Sequence, residues 1–253
     1  MNPYFYLFLY FGFGALSSFI GAITGLGGGF ILIPVLTMVA GLDIKDAIFL
    51  SLASILWLSI LRVHQNRTVI RQYTPILRRY LWFVLAGSAT AAYIGSHSSS
   101  ELLNKIFVSV LICLSLYFFW DQKTDEEESS KPQPKPIWGE LLLFLSGSLG
   151  GLLGIGGGII TVPTLHKIFR FPMFQAVKLS FPFAFVSTST ALLVYFSQRK
   201  EGILSISPFV LLVLLAGTYS GSQLASKVKI SSSKIKLFFA IVIGLMGAIK
   251  LTR

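Results

Sequence analysis

A glycine-rich motif occurs twice inside stretches apolar enough for a lipid bilayer, and it limits what this chain can fold into. Residues 25–34 read G-L-G-G-G-F-I-L-I-P and residues 154–163 read G-I-G-G-G-I-I-T-V-P. The copies are in register 129 residues apart: Gly25 matches Gly154; Gly27, Gly28 and Gly29 match Gly156, Gly157 and Gly158; Pro34 matches Pro163. Each glycine in a helix interior costs about 1 kcal/mol relative to alanine, so four within five positions exclude a regular spanning helix. The same interruption at corresponding places in two halves is the sequence mark of a transporter site.

The surrounding composition is that of a membrane protein. Hydrophobic residues make up 54% and charged residues 12%, where a soluble domain carries about 25% charged residues; the mean hydropathy is +0.75. The apolar runs are about 17–25 residues long, the length of a spanning helix. They do not alternate as the strands of a membrane barrel do. The 253 residues therefore predict an all-α, polytopic integral membrane protein of about eight transmembrane helices. The net charge of +11 lies between the runs, where Lys and Arg set topology, and is not read as a nucleic-acid surface. No Lys or Arg precedes Lys45, so the first apolar segment is read as a retained span rather than a signal peptide.

The pattern divides the chain into a first transmembrane repeat (residues 1–120), a polar linker (121–137) and a second repeat (138–253). The linker, acidic and then proline-rich, has too little apolar sequence to pack a core. In each half the first apolar run is too long for one span, so a break at the glycines and a short second helical piece are expected. Further spans are expected over about 47–61, 80–94 and 102–120, and over about 176–196, 203–225 and 235–251. A basic connection over 62–79 holds Arg62, Arg67, Arg71, Arg78 and Arg79, and it tips its face toward the cytoplasm. The duplication extends past the glycines. Ala47 and Ser51 match Ala176 and Ser180 at the same offset, and Leu85-Ala86-Gly87 resembles Leu215-Ala216-Gly217 at an offset of 130. The halves are parallel if the glycine segment crosses the membrane and inverted if it returns to its starting face.

Two readings compete for the glycine segments. Irregular backbone at membrane depth is allowed where it is buried or lines a wet cavity, and a half-helix starting there offers N–H groups to an anion. Pro34 and Pro163, one to two turns later, restrict the hydrogen bonding of those half-helices. Alternatively, the glycines let helices pack closely. Duplication in register favours the anion site. Ser51 and Ser54, and Ser180 with Ser187, fall near one face of their spans, and neutral hydroxyls suit an oxyanion that must be bound and released. Hydrogen bonding to the helix backbone is the competing fate of such residues. Lys178, in the first turns of its span, attracts an anion or snorkels from the helix end. The motif lacks the final glycine of a dinucleotide loop and the G-K-[ST] of a P-loop. Cys113 is the single cysteine, and His64, His97 and His166 are scattered without metal spacing, so no metal or cofactor is expected. There is no Ser-His-Asp set and no H-E-x-x-H, so no enzymatic activity is expected.

Two copies of G-x-G-G-G followed by proline, the A-x-x-x-S pattern of Ala47/Ser51 and Ala176/Ser180, and a basic turn after the second span of each half resemble the TauE/SafE family of membrane permeases. The resemblance covers nearly the whole chain. It implies a multi-pass protein of a bacterial inner membrane that exports sulfite or an organosulfur anion such as sulfoacetate. The expected binding residues are Gly25, Gly27, Gly28, Gly29, Ser51 and Ser54 with Gly154, Gly156, Gly157, Gly158, Lys178 and Ser180. Pro34 and Pro163 serve as structural breaks. The expected partners are a small anion and the lipid bilayer, with a homo-oligomer allowed. An anion channel of the same fold and a non-transporting membrane scaffold are the alternatives.

Overall fold

The computed structural model describes residues 3–120, 136–198 and 207–228. The described chain is helical: α1 (Pro3–Thr24), α2 (Gly29–Met38), α3 (Ile44–Gln65), α4 (Arg67–Gln72), α5 (Thr74–His97), α6 (Ser100–Trp120), α7 (Pro136–Leu153), α8 (Gly158–Pro163), a π-helical turn (Thr164–Ile168), α9 (Met173–Gln198) and α10 (Pro208–Lys227). Among the described residues, four helical stretches are long and apolar enough to cross a membrane: Tyr6–Thr24, Ile44–Gln65, Met173–Gln198 and Pro208–Lys227. Two shorter apolar helices, Gly29–Met38 and Ile137–Leu153, accompany them. Residues 121–135 of the linker and the span expected over 235–251 lie outside the described residues, and the linker's last two residues, 136 and 137, instead open α7.

Local chemistry sets the helix ends. The Asp43 carboxylate accepts from the Lys45 N–H at 2.8 Å and caps α3. Ser207 caps α10 immediately before Pro208, which lacks the N–H that the first turn leaves unpaired. Both glycine motifs break the helix as expected: α1 stops at Thr24 and α2 starts at Gly29, while α7 stops at Leu153 and α8 starts at Gly158. Pro34 sits inside α2. Pro163 ends α8, and the next turn widens so that Phe169 N–H donates to Thr164 at five residues' spacing, 3.1 Å.

Helix directions follow from the contacts. Tyr73, just after α4, meets Phe171 edge-to-face with ring centroids 5.0 Å apart, and its hydroxyl lies 3.4 Å from Gln175 Oε1. Leu58 and Val63 in the second half of α3 share a cluster with Val177 and Phe181 in the first half of α9. Helices α3 and α9 are therefore antiparallel. Gln65 at the end of α3 reaches Gln223 near the end of α10, so those two helices point to the same end. Helix α10 lies parallel to α1, with Gly217 against Phe11 and Gly221 against Ala15 and Ser18. Helix α7 lies parallel to α5, with Gly147 against Val84, Gly151 against Ser88 and Gly95 against Leu152.

Close backbone approach at these glycines is how membrane helices associate when neighbouring lipid is as apolar as the side chains. Gly87 and Gly217, matched in the sequence, do the same job in the two pairings: Gly87 faces the Phe144 carbonyl of α7 and Gly217 the Phe11 carbonyl of α1. Hydroxyls reinforce the contacts. Ser18 donates to the Thr218 carbonyl at 2.8 Å, and Ser88 donates to the Ser187 carbonyl of α9 at 2.6 Å.

The basic connection is more ordered than its composition suggests. Helix α3 runs on to Gln65, α4 follows at once, and α5 begins at Thr74. Arg62, expected in that connection, is instead part of α3 and buried.

Candidate functional site

Each glycine motif is a hairpin. Helix α1 approaches the α3–α4 end, the chain turns through residues 25–28, and α2 leads back to the start of α3. Helix α7 sets out from the α3–α4 end, where Glu140 pairs with Arg79 at 3.1 Å. It turns through residues 154–157 and returns through α8 to the same end, where Phe169 packs on Tyr80 at a centroid distance of 4.9 Å. The two hairpins enter from opposite ends and meet.

The turns are left-handed in matching positions. Gly25, Gly27 and Gly28 have φ of 74, 86 and 82°; Gly154, Gly156 and Gly157 have φ of 67, 82 and 70°. Such backbone costs an L-residue roughly 1–2 kcal/mol per position, which is why the motif uses glycine. Every residue in 25–29 and 154–158 is buried. The chain then doubles back on its own helix: a Cβ at Gly21 would lie 2.7 Å from Gly28 N, and one at Gly150 would lie 2.8 Å from Gly157 N.

The two motifs also touch each other. A side chain at Gly29 would strike the Gly154 carbonyl, and one at Gly158 would strike the Gly25 carbonyl and lie 2.7 Å from Leu26 Cα. Ile55 of α3 sits against both, near Gly27 and Gly156.

The matched serines complete a reciprocal arrangement. Ser51 in α3 donates to the Gly154 carbonyl of the other half at 2.7 Å. Ser180 in α9 donates to the Gly25 carbonyl at 3.0 Å and shares its hydrogen with the Val177 carbonyl at 2.8 Å. Both side chains are fully buried. Of the residues singled out in the sequence, the eight motif glycines, Ser51 and Ser180 thus come together at one locus.

Ser54 is one turn further along α3, buried, with its hydroxyl unpartnered. Ser187 likewise has an unpartnered hydroxyl, beside Gly150. Lys178 is half-buried, and its ammonium sits 3.8 Å from the centroid of the Phe174 ring, toward the start of α9. Both elements of that contact belong to the α3–α4 end rather than to the motif turns.

Sequence reasoning passed over Ser146. Its hydroxyl donates to the Gly157 carbonyl and lies 2.6 Å from Thr161 Oγ1. Ser17, 129 residues earlier, lies in the same place against Gly28, with its hydroxyl on the Gly14 carbonyl at 3.2 Å. Extending the comparison upstream of the glycines would have found Ser17/Ser146 and Gly21/Gly150, which share the offset.

A family model described as sulfite exporter TauE/SafE matches residues 10–249. "Probable membrane transporter protein MJ0441" of Methanocaldococcus jannaschii is 26% identical over 251 residues, covering 92% of this chain and 91% of its own. "Probable membrane transporter protein YunE" of Bacillus subtilis is 25% identical over 260 residues, covering 92% of this chain and 93% of its own. No solved structure matches the chain.

Proposed function

The chain belongs to the sulfite exporter TauE/SafE family of membrane proteins, and on that premise we propose that it is a secondary transporter that exports a small anion, sulfite or an organosulfonate. The observation that carries this reading is the reciprocal pair of bonds from Ser51 to Gly154 and from Ser180 to Gly25. It joins two hairpins that enter from opposite ends, so the centre of the molecule is built equally from both halves of the chain.

In this reading the protein has eight spans in two inverted four-segment repeats, each with a glycine-broken first helix. Antiparallel α3 and α9, matched glycine dihedrals and the crossed pairings α1–α10 and α5–α7 support it. The anion is held where the motifs meet. The first turns of α2 and α8 carry partial positive charge, Ser51, Ser54 and Ser180 supply hydroxyl donors, and Lys178 draws the anion in from the α3–α4 end. Ser51 and Ser180 exchange their carbonyl acceptors for the anion as one half rocks against the other.

The cytoplasmic face is the α3–α4 end. Arg67, Arg71, Arg78, Arg79, Lys167, Arg170 and Lys227 gather there, against Lys45 and Lys105 at the opposite end among the described residues. An anion leaving a negative cytoplasm gains about 2.3 kcal/mol per charge at 100 mV, so export needs no buried proton carrier.

Counterflow of labelled sulfite, sulfate, sulfoacetate and small carboxylates in proteoliposomes tests the proposal. Saturable counterflow of a sulfur oxyanion is the expected result. Absence of flux for every anion, from protein shown to be folded, overturns it.

A further inference from the structure

Arg62 is the one arginine of the described chain that is buried, with 8% of its surface exposed. It lies where α1, α3, α9 and α10 converge, beside the cluster of Ala22, Leu58, Phe181 and Ala225. One terminal nitrogen, Nη2, donates to the Ser222 carbonyl of α10 at 2.7 Å. Its Nε has no partner, and neither has the hydroxyl of Ser222, which is fully buried.

Among the described residues, no carboxylate pairs with this charge. Helices α1, α2, α4, α9 and α10 contain neither Asp nor Glu. The acidic residue of α3 itself is Asp46, sixteen residues earlier and so about 24 Å away along the helix. Toward the α3–α4 end the neighbouring helices carry further cations, Lys178 on α9 and Lys227 on α10. A cation near a helix C-terminus gains from the helix dipole, but an exposed arginine would gain that too. Burying a guanidinium with a donor unused is costly, and the cost calls for an occupant.

Position ties Arg62 to the central site. Ser51, Ile55, Leu58, Ser59 and Arg62 follow the three-and-four spacing of one helix face, and all are buried. Ile55 touches both glycine motifs, and Arg62 is seven residues beyond it, about 10 Å toward the α3–α4 end. A planar guanidinium matches the oxygen fork of a sulfite or sulfonate group better than any other side chain.

We propose that Arg62, with the Ser222 hydroxyl, is a second oxyanion contact of the transport path, between the glycine motifs and the α3–α4 face. The inference rests on the reading that the chain moves an anion. In the arrangement described here the Ser222 carbonyl occupies one guanidinium nitrogen, and an arriving oxyanion takes the vacant Nε and the hydroxyl.

The test compares wild type with Arg62→Gln, Arg62→Lys and Ser222→Ala, using thermal unfolding of purified protein titrated with sodium sulfite and sodium sulfate at fixed ionic strength, alongside counterflow. The wild type should show a saturable upward shift. Arg62→Gln should need about tenfold more anion or more for that shift, the loss of one charge-assisted hydrogen bond, while its anion-free midpoint equals or exceeds that of wild type. Arg62→Lys should retain part of the response. An Arg62→Gln protein with a lowered anion-free midpoint and unchanged half-saturating sulfite would mark a structural latch between α3 and α10 and overturn the inference alone. A folded wild type with neither shift nor counterflow would overturn it together with the transport reading.

Discussion

The hydroxyl of Ser51 is hydrogen-bonded to the carbonyl of Gly154, 103 residues away and in the other half of the chain, at 2.7 Å. Its counterpart Ser180 makes the equivalent bond to Gly25. Neither side chain is exposed, so each bond forms where water cannot compete for it. Removing such a donor leaves a buried carbonyl unpaired, at a cost of about 1–3 kcal/mol.

Ser51→Ala is therefore expected to lower the unfolding midpoint in detergent by an amount in that range. Ser180→Ala should cost less, because its hydroxyl is shared with Val177. Thermal unfolding of the two single variants and the double variant measures both terms. Equal midpoints for wild type and Ser51→Ala would show that the cross-half bond contributes nothing to stability.

The contact between motifs predicts a contrast among glycines. A methyl at Gly29 would meet the Gly154 carbonyl and lie 2.9 Å from Ile55 Cδ1, while one at Gly12 would meet nothing within 4 Å. Gly29→Ala and Gly158→Ala should each destabilise by roughly 1–3 kcal/mol, as overpacking does. Gly12→Ala should be neutral or gain up to about 1 kcal/mol. Folded yield and unfolding midpoint of the three proteins distinguish these outcomes.

If the halves move against each other, fastening α3 to α10 must stop transport. Gln65 Nε2 and Gln223 Oε1 lie 3.5 Å apart. Gln65→Cys with Gln223→Cys, on a Cys113→Ser background, should be bridged by a short bifunctional thiol reagent and lose counterflow. Reduction of a cleavable bridge should restore it. Full activity in the bridged protein would argue for a fixed pore.

The charge distribution predicts orientation. Arg71 and His97 are both exposed, near opposite ends of the helices. On the Cys113→Ser background, Arg71→Cys should react with an impermeant thiol reagent only from the cytoplasmic side, and His97→Cys only from outside. The reverse pattern would place the α3–α4 end outside the cell.

The paired glycine motif was legible because glycine is dictated by backbone shape: a left-handed turn leaves no other residue a comparable choice, so Gly25, Gly27 and Gly28 and their counterparts Gly154, Gly156 and Gly157 stand out in the sequence. The match of Ser51 with Ser180 was equally plain. Which carbonyl each one meets was not, because the partner lies in the other half and only the crossing of the hairpins brings it near. Arg62 was misplaced for a physical reason as well. Charged residues normally mark the end of a span, whereas α3 continues through Arg62 to Gln65 with the guanidinium turned onto the Ser222 carbonyl of α10. Direction was hidden too, since a hairpin and a broken crossing have the same composition.

The pairing of α1 with α10 sets a timetable for making the protein. Ser18 and the Thr218 carbonyl it binds are separated by 200 residues. At about 5–20 residues per second of synthesis, α1 waits on the order of 10–40 seconds for its partner. Throughout that interval Gly14 and its neighbours present a bare groove to the lipid. The newborn chain must be kept from filling that groove with a second copy of itself, so rapid expression should yield misassembled protein before it yields unfolded protein.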